Sequence, residues 1–214
     1  MPRIVCVCGT RPDAIKTAPV VLELRKYSDQ VETLLVSTGQ HREMLDQALA
    51  PFGLTPDADL QIMSPGQTLA HVTAKAMEGL DRMLADLEPN WVVAQGDTTT
   101  TFVASLAAFY RRIPFAHIEA GLRTDTIDDP FPEEFNRRGV SVAAALHFAP
   151  TSGARENLLR EGFAPGSIFV VGNTIVDAVV RILRNRPRPE PDPGRATVLV
   201  TLHRRESFGA PLER

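Results

Sequence analysis

The chain has 214 residues, of which 43% are hydrophobic and 23% charged, and its formal net charge at pH 7 is -3. This is the composition of a globular protein with room for one complete domain, and the lack of excess positive charge argues against a nucleic acid or an anionic membrane surface as the main partner. No apolar run has the length of a membrane span or a signal peptide, so we expect a cytoplasmic protein that acts on a small molecule.

The two cysteines predict neither a metal site nor a disulfide. Cys6 and Cys8 are alternate residues of one apolar run, so on a strand their side chains share a face. Two thiols do not make a zinc site, and we expect both to be buried and reduced, as in proteins of the cytosol. No other group of His, Cys, Asp and Glu has the spacing of metal ligands, so the sequence predicts no metal.

Short apolar runs rich in Val and Ile alternate with segments of helical periodicity along the chain. Runs that are apolar at consecutive positions are typical of parallel strands buried on both faces. The predicted strands are residues 4–8, 33–36, 91–94, 115–118, 147–149, 168–171 and 198–201. The predicted helices are residues 14–26, 40–52, 68–87, 99–111, 133–145, 154–161 and 174–184. This alternation predicts an α/β fold built on a doubly wound parallel sheet.

A proline-rich segment near the end of the chain divides it into domains. Prolines occupy every second position from 187 to 193, which excludes a helix or an inner strand and indicates a linker. We therefore predict a first domain at 1–185, a linker at 186–195, and the first strand and loop of a second domain at 196–214. Since about twenty residues cannot enclose a core, the last strand either joins the first sheet or begins a domain that continues in a longer protein; we favour the longer protein.

Four ionisable side chains stand at the ends of predicted strands or just beyond them: Asp97, Glu119, Glu133 and His203. In open α/β sheets, ligands bind in the crevice outside the carboxyl ends of the strands. Carboxylates and an imidazole gathered there predict proton transfer on a bound ligand. His117 and Glu119 are alternate residues, so we expect their side chains to share one face of the strand.

Each of these side chains also has a purely structural interpretation, which the sequence leaves open. Asp97 could cap the next helix, and Glu119 could form an ion pair with Arg123. Glu133 is favourable in the first turn of a helix even without a ligand, and His203 could belong to a charged surface loop. Because burial of an unpaired carboxylate costs several kcal/mol, Glu119 needs either a partner or a function.

The turn after the first strand predicts an anion site. Gly9-Thr10-Arg11-Pro12 leads into the first helix, and Lys16 follows one turn later. Free backbone amides at a helix start, together with two cations, suit an anion such as a diphosphate. The alternative is an ordinary helix start with two solvated basic side chains, because the motif is neither a dinucleotide fingerprint nor a Walker A loop.

Seven motifs in this order resemble the non-hydrolysing UDP-N-acetylglucosamine 2-epimerases, and they extend over nearly the whole chain. They are Gly9-Thr10-Arg11-Pro12 with Lys16, Thr38-Gly39-Gln40-His41, Gly96-Asp97-Thr98-Thr99-Thr100, residues 117–124, Pro132-Glu133-Glu134 with Asn136-Arg137, Gly172-Asn173-Thr174, and residues 203–209. Leu202 stands where the family often has Gly. Glu43 and Gly66 stand where some bacterial members carry effector-binding Gln and Arg, so the resemblance does not extend to activation by the substrate.

The resemblance implies two Rossmann-like domains of the glycosyltransferase-B type, with a UDP-sugar in the cleft between them and the second domain running on beyond Arg214. It implies inversion at C2 of UDP-N-acetylglucosamine to UDP-N-acetylmannosamine by elimination and readdition of UDP, which supplies precursors for cell-surface polysaccharides. No cofactor is needed for this chemistry. It also implies a homodimer.

The resemblance assigns roles to individual residues. Asp97, Glu119 and Glu133 form the acid/base set, and His203 with Arg11 and Lys16 stabilises the departing UDP. The family's effector-binding or supporting positions correspond in this chain to Gln40, His41, Arg137 and Asn173. A glycosyltransferase of the same architecture and a catalytically inactive fragment that binds sugar nucleotides remain as alternatives.

Overall fold

The protein is described by a computed structural model covering residues 1–39, 42–62 and 66–184, with residues 194, 196 and 198 in isolation. Within this part of the chain, one parallel sheet contains seven strands: β1 (Arg3–Cys8), β2 (Glu32–Ser37), β3 (Ala58–Asp59), β4 (Trp91–Gln95), β5 (Phe115–Ile118), β6 (Leu146–Ala149) and β7 (Ile168–Val170). The helices are α1 (Arg11–Leu24), α2 (Arg42–Leu49), α3 (Leu69–Leu87), α4 (Thr99–Tyr110), α5 (Glu133–Ala143), α6 (Ser152–Arg160) and α7 (Thr174–Arg184). The predicted parallel α/β fold is confirmed.

The strand order places a crevice between β1 and β4. The sheet runs β3-β2-β1-β4-β5-β6-β7, so the chain builds outward from β1 in one direction and then returns to add strands on the other side. In register, Val5 of β1 is opposite Leu34 of β2 and Val92 of β4. This reversal is the switch point at which open α/β sheets bind ligands, beyond the carboxyl ends of the strands.

Both faces of the sheet are covered by helices. Val5 and Val7 point into a core shared with α3, α4 and α5. Cys6 and Cys8 point to the other side, into a core shared with α1, α2 and α7. Both thiols are free and buried, as expected, and burial raises the pKa of Cys6 to about 12, which keeps that thiol protonated at neutral pH.

Some helices and strands begin or end at other residues than the sequence predicts, because local hydrogen bonds and turns set their ends. Helix α1 begins three residues earlier than predicted, because the Thr10 side chain accepts a hydrogen bond from the Asp13 amide and caps the helix. Helix α2 gives way to a 3-10 turn at Ala50–Phe52, which ends at Gly53 in the left-handed region. Strand β3 was not predicted, since two residues carry no periodicity.

The described residues include no helix that is both long enough and apolar enough to cross a membrane. The predicted linker and the segment 196–214 lie almost wholly outside those residues. The predicted domain boundaries therefore stay predictions.

Candidate functional site

Asp97 follows β4 and is held from α5. Gly96 adopts a φ of 81°, a left-handed conformation that turns the chain out of the strand. Arg137 places its guanidinium 2.5 Å from the Asp97 carboxylate, and the Asn136 side chain donates to the Asp97 carbonyl at 2.8 Å. The cap of α4 is Thr98, so the interpretation of Asp97 as a helix cap is wrong. Its carboxylate is instead fixed by a cation at the switch point.

Glu119 follows β5 and is the most heavily bonded carboxylate of the site. Lys16 Nζ lies 2.9 and 2.7 Å from the two carboxylate oxygens. Asn173 donates to Oε1 at 2.6 Å, and the Gln95 side chain donates to Oε2. The alternative ion pair with Arg123 is wrong, because Arg123 binds Glu161, the residue that follows α6. Glu119 is thus held by α1, β4 and the start of α7 together.

The backbone explains how Glu119 reaches these partners. Its φ of 67° is rare for a residue other than glycine, and it ends the alternation of side chains along β5. His117 remains on the strand and is fully buried, with Nε2 donating to the Gly96 carbonyl at 2.8 Å. The expected common orientation of His117 and Glu119 is therefore lost, and His117 supports the turn that leads to Asp97 instead.

The two adjacent glutamates at the start of α5 have different environments, in line with the expectation that at most one reaches a ligand. Glu134 is fully buried and accepts from Arg137 at 3.2 Å and from Arg138 at 2.9 Å. Glu133 is half-buried, and its carboxylate forms no hydrogen bond or ion pair in the described part of the chain. Arg137 consequently links Glu134 to Asp97, while Glu133 stays available for a ligand.

The turn after β1 packs closely against two other strand ends. A side chain at Gly9 would collide with the side chain of Thr100 and come within 2.7 Å of Thr38 Oγ1, so only glycine fits here. The two threonine hydroxyls are themselves 3.1 Å apart. Arg11, the first residue of α1, is exposed at the mouth of the crevice. The predicted anion site therefore has one solvent-facing guanidinium, whereas the amides of Thr10, Asp13 and Ala14 are already bonded within the capped first turn of α1.

Asp13 belongs to this site, although it was not among the predicted residues. Its carboxylate accepts from the Thr10 amide at 3.2 Å and from the Thr98 hydroxyl at 3.0 Å. It is only 3% exposed, and burial raises its pKa to about 6. The sequence signal was present, since a threonine followed three residues later by an acidic residue at a helix start resembles a capping box.

The remaining predicted residues divide into two groups. Arg137 and Asn173, expected to be effector-binding or supporting residues, bind the side chains of Asp97 and Glu119 respectively. Gln40, His41 and His203 lie outside the described residues. Within the described ranges, no group of three or more His, Cys, Asp and Glu side chains could hold a metal ion.

The arrangement brings the carboxylates of Asp97 and Glu119 to adjoining turns near α1. β4 and β5 are neighbours, and the Gly96 amide donates to the Ile118 carbonyl at 3.0 Å, so the turns that carry Asp97 and Glu119 adjoin each other. A hypothetical Cβ on Gly96 would lie 3.7 Å from the Glu119 carboxylate. Such a site can exchange protons with a ligand whose anionic part rests on the start of α1.

Comparison with known proteins identifies relatives with this fold. A UDP-N-acetylglucosamine 2-epimerase from Bacillus subtilis (strain 168) is 48% identical over 214 residues, which are 99% of this chain and 56% of the relative. The relative from Salmonella typhimurium (strain LT2) is 48% identical over 223 residues, covering 99% of this chain and 59% of its own length. The chain therefore spans little more than half the length of these curated relatives.

Solved structures of related proteins are likewise matched over about half of their length. A crystal structure described as a putative UDP-N-acetylglucosamine 2-epimerase from Listeria monocytogenes has a TM-score of 0.91 and 46% identity, covering 99% of this chain and 56% of that one. The enzyme from Neisseria meningitidis bound to UDP-GlcNAc has a TM-score of 0.82 and 49% identity over 86% of this chain and 50% of its own. MurG from Acinetobacter baumannii, 14% identical with a TM-score of 0.58, shares the fold.

The family model described as UDP-N-acetylglucosamine 2-epimerase matches residues 23–214. Since that match includes most of the chain, and relatives nearly half identical extend along its whole length, the chain belongs to the UDP-N-acetylglucosamine 2-epimerase family.

Proposed function

We propose that this chain is the N-terminal part of an enzyme that interconverts UDP-N-acetylglucosamine and UDP-N-acetylmannosamine. The observation that carries the proposal is the pair of fixed carboxylates, Asp97 and Glu119, on adjoining turns after β4 and β5. Family membership supports the substrate class, because the related enzyme from Neisseria meningitidis was crystallised with UDP-GlcNAc.

The chemistry requires an indirect route to inversion. The C2 hydrogen of the sugar is not acidic, so a base removes it while the C1–O bond to UDP breaks and a C1=C2 double bond forms. The products of this step are UDP and 2-acetamidoglucal. UDP then adds back at C1 while an acid delivers a proton to the opposite face of C2. One base, one acid and a cationic hold on the departing diphosphate are sufficient for the cycle.

The described residues supply most of these parts. Asp97, Glu119 and Glu133 form the acid/base set, and among them Glu133 is the carboxylate that no described residue binds. Arg11 and the start of α1 receive the diphosphate. Lys16, predicted to contact UDP, binds both carboxylate oxygens of Glu119. In the proposed enzyme Lys16 holds the Glu119 carboxylate. It contacts the leaving UDP only if its ammonium binds the carboxylate and the diphosphate at the same time.

Isotope exchange tests the reaction directly. A full-length enzyme that begins with this chain is incubated with UDP-GlcNAc in deuterated water, with no sugar acceptor. We expect UDP-ManNAc with deuterium at C2. Retention of all the original hydrogen at C2 would exclude elimination and readdition. Absence of any UDP-ManNAc, with turnover only after an acceptor is added, would instead identify a glycosyltransferase.

A further part of the proposal is that residues 1–214 alone are not an active epimerase. The chain spans about half the length of its relatives, and His203, assigned to the leaving UDP, lies outside the described residues. Misplacement of reacting groups by about 1 Å costs on the order of a hundredfold in rate, so an incomplete cleft should be inactive. Conversion of UDP-GlcNAc by the 214-residue protein at a normal enzymatic rate would contradict this.

We also propose that the full-length enzyme is a homodimer, as the family resemblance implies. Light scattering coupled to size exclusion measures the mass of the full-length protein and of the 214-residue chain. A monomer for the full-length protein at micromolar concentration would contradict the proposal.

A further inference from the structure

Helix α1 carries Asp13 in its first turn and Lys16 one turn later, and of these two only Lys16 has a role in the proposed reaction. Asp13 and Lys16 are three residues apart, so their side chains project from the same face of the helix. Lys16 binds Glu119 at 2.7 Å. Asp13 instead points into the protein and is 3% exposed. A buried carboxylate without an assigned function calls for an explanation.

The contacts of Asp13 join two turns of the site. Its Oδ2 accepts a hydrogen bond from the Thr10 amide at 3.2 Å, in the turn that would receive the diphosphate. The same oxygen accepts from the Thr98 hydroxyl at 3.0 Å, in the turn that carries Asp97. Asp13 has no ion-pair partner in the described part of the chain, and burial raises its pKa to about 6. Such a group is costly to the fold.

Asp97 is thereby anchored from two sides. On one side, Arg137 and Asn136 of α5 bind its carboxylate and its carbonyl at 2.5 and 2.8 Å. On the other side, its neighbour Thr98 is tied to Asp13 of α1. The helix that holds Glu119 through Lys16 thus also holds the Asp97 turn, and it sets the spacing between the two carboxylates.

We propose that Asp13 is a positioning residue for the epimerase reaction: through the Thr98 hydroxyl it fixes the turn of Asp97 relative to the start of α1, where the diphosphate binds. This rests on the proposed function. Loss of the Asp13–Thr98 hydrogen bond leaves the anion site intact but lets Asp97 shift. The expected consequence is a lower kcat with little change in KM, because reacting groups are more sensitive to small displacements than binding groups are.

The test uses two substitutions at Thr98 in the full-length enzyme. Thr98→Ser keeps a hydroxyl for Asp13, whereas Thr98→Val removes it at nearly constant volume. We expect Thr98→Val to lower kcat about 10- to 100-fold with KM changed less than about threefold, and Thr98→Ser to stay within about threefold of wild type. Asp13→Asn should also lower kcat, and adding Thr98→Val to it should cause little further loss, because the two residues act as one unit.

Thr98 also caps α4, so loss of the cap needs its own control. Thr151→Val removes an equivalent cap, since Thr151 accepts from the Ala154 amide at 3.1 Å at the start of α6. It should lower the melting temperature about as much as Thr98→Val does and leave kcat within about twofold of wild type. This separates lost stability from lost positioning.

The outcomes are distinct. An inactive wild-type enzyme would refute the proposed function itself. With an active wild type, a Thr98→Val variant of unchanged kcat would overturn the positioning role, as would an equal loss of kcat in Thr151→Val. If Asp13→Asn does not fold, the two Thr98 variants and the Thr151 control still decide the question.

Discussion

The carboxylates of the site fall into two classes that differ in how the protein holds them. Glu119 accepts from Lys16, Asn173 and Gln95 and is 11% exposed, and Asp97 binds Arg137 at 2.5 Å. Glu133 stands half-buried at the start of α5, and none of the described residues binds its carboxylate. Two of the proposed acid/base carboxylates are thus bonded within the fold of this domain, whereas the third has no bond to the residues that the structure describes.

This difference follows from where each residue lies. Asp97 and Glu119 leave adjacent central strands, so helices on both faces of the sheet supply partners for them. Glu133 begins a helix, where the macrodipole favours its charge without any side-chain partner. A group held by several hydrogen bonds contributes to folding as well as to chemistry. A group without partners contributes to chemistry alone.

The largest expected effect comes from replacing each carboxylate by its amide in the full-length enzyme. Asp97→Asn, Glu119→Gln and Glu133→Gln should each lower turnover by about two to four orders of magnitude, as for loss of general acid-base catalysis. Their stabilities should differ. Asp97→Asn and Glu119→Gln should shift the urea midpoint, since each removes a charged partner from a mostly buried cation, while Glu133→Gln should not.

Glu78→Gln provides the control for this series. Glu78 is exposed on α3, and the Lys75 ammonium lies 3.8 Å from its carboxylate. It should change neither turnover nor the urea midpoint. A Glu133→Gln variant that is as destabilised as Glu119→Gln would erase the distinction between the two classes, and near-wild-type turnover for any of the three would remove that residue from the acid/base set.

The comparison extends to two buried titratable groups near Asp97, which should give opposite pH dependences of stability. Burial raises the pKa of Asp13 from 3.8 to about 6. Between these values the folded state binds more protons than the unfolded state, so stability falls as pH rises. At about 1.4 kcal/mol per pH unit, Asp13 costs the fold about 3 kcal/mol at neutral pH relative to pH below 4.

His117 acts in the other direction. Burial lowers its pKa from 6.5 to about 4. Between these values the unfolded state binds more protons, so stability falls as pH drops, again by about 3 kcal/mol. In the wild-type protein the two contributions largely offset each other between about pH 4 and 6.

Single variants should reveal each contribution. Relative to wild type, Asp13→Asn should gain about 3 kcal/mol of unfolding free energy as pH rises from 4 to 7, and His117→Gln should gain about the same as pH falls over that range. Urea unfolding of the 214-residue chain at a series of pH values measures both differences. If the stability of both variants relative to wild type changes with pH in the same direction, the environment assigned to Asp13 or to His117 is wrong.

The sequence predicted the fold and the neighbouring positions of Asp97 and Glu119, because both follow from local signals. Apolar runs of Val and Ile marked the buried strands, and Asp97 and Glu119 stood directly after two of them. Parallel strands place their carboxyl ends at one edge. The proximity of these two residues therefore needed no knowledge of side-chain contacts.

The partners of the site residues could not be predicted in the same way. Lys16 and Glu119 are 103 positions apart, and the contact depends on a φ of 67° at Glu119 that no alternation rule contains. The sequence offered Arg123 as the nearer cation, yet the turn after Glu119 directs Arg123 to the end of α6, where its guanidinium lies 2.7 Å from the Glu161 carboxylate. Long-range ion pairs are decided by packing, which sequence periodicity does not describe.

The smallest expected effect tests the contact between Lys16 and Glu119 without any catalysis. Both side chains are mostly buried, with exposures of 24% and 11%. Lys16→Met leaves the carboxylate with two amide donors, and Glu119→Gln leaves the ammonium with neutral partners. Each single variant should cost about 1–3 kcal/mol. The double variant should cost less than their sum, by about 1–2 kcal/mol of coupling energy.

Urea unfolding of the 214-residue chain measures the coupling energy between Lys16 and Glu119. The corresponding single and double variants of Lys75 and Glu78 are the control. Those two side chains are 52% and 64% exposed and 3.8 Å apart, so water screens them and their coupling should be close to zero. Additive costs for Lys16 and Glu119 would mean that the ammonium does not hold the carboxylate in solution. Glu119 would then resemble Glu133, free to meet a ligand and not committed to the fold, and Lys16 would be available to contact the leaving UDP as the sequence first suggested.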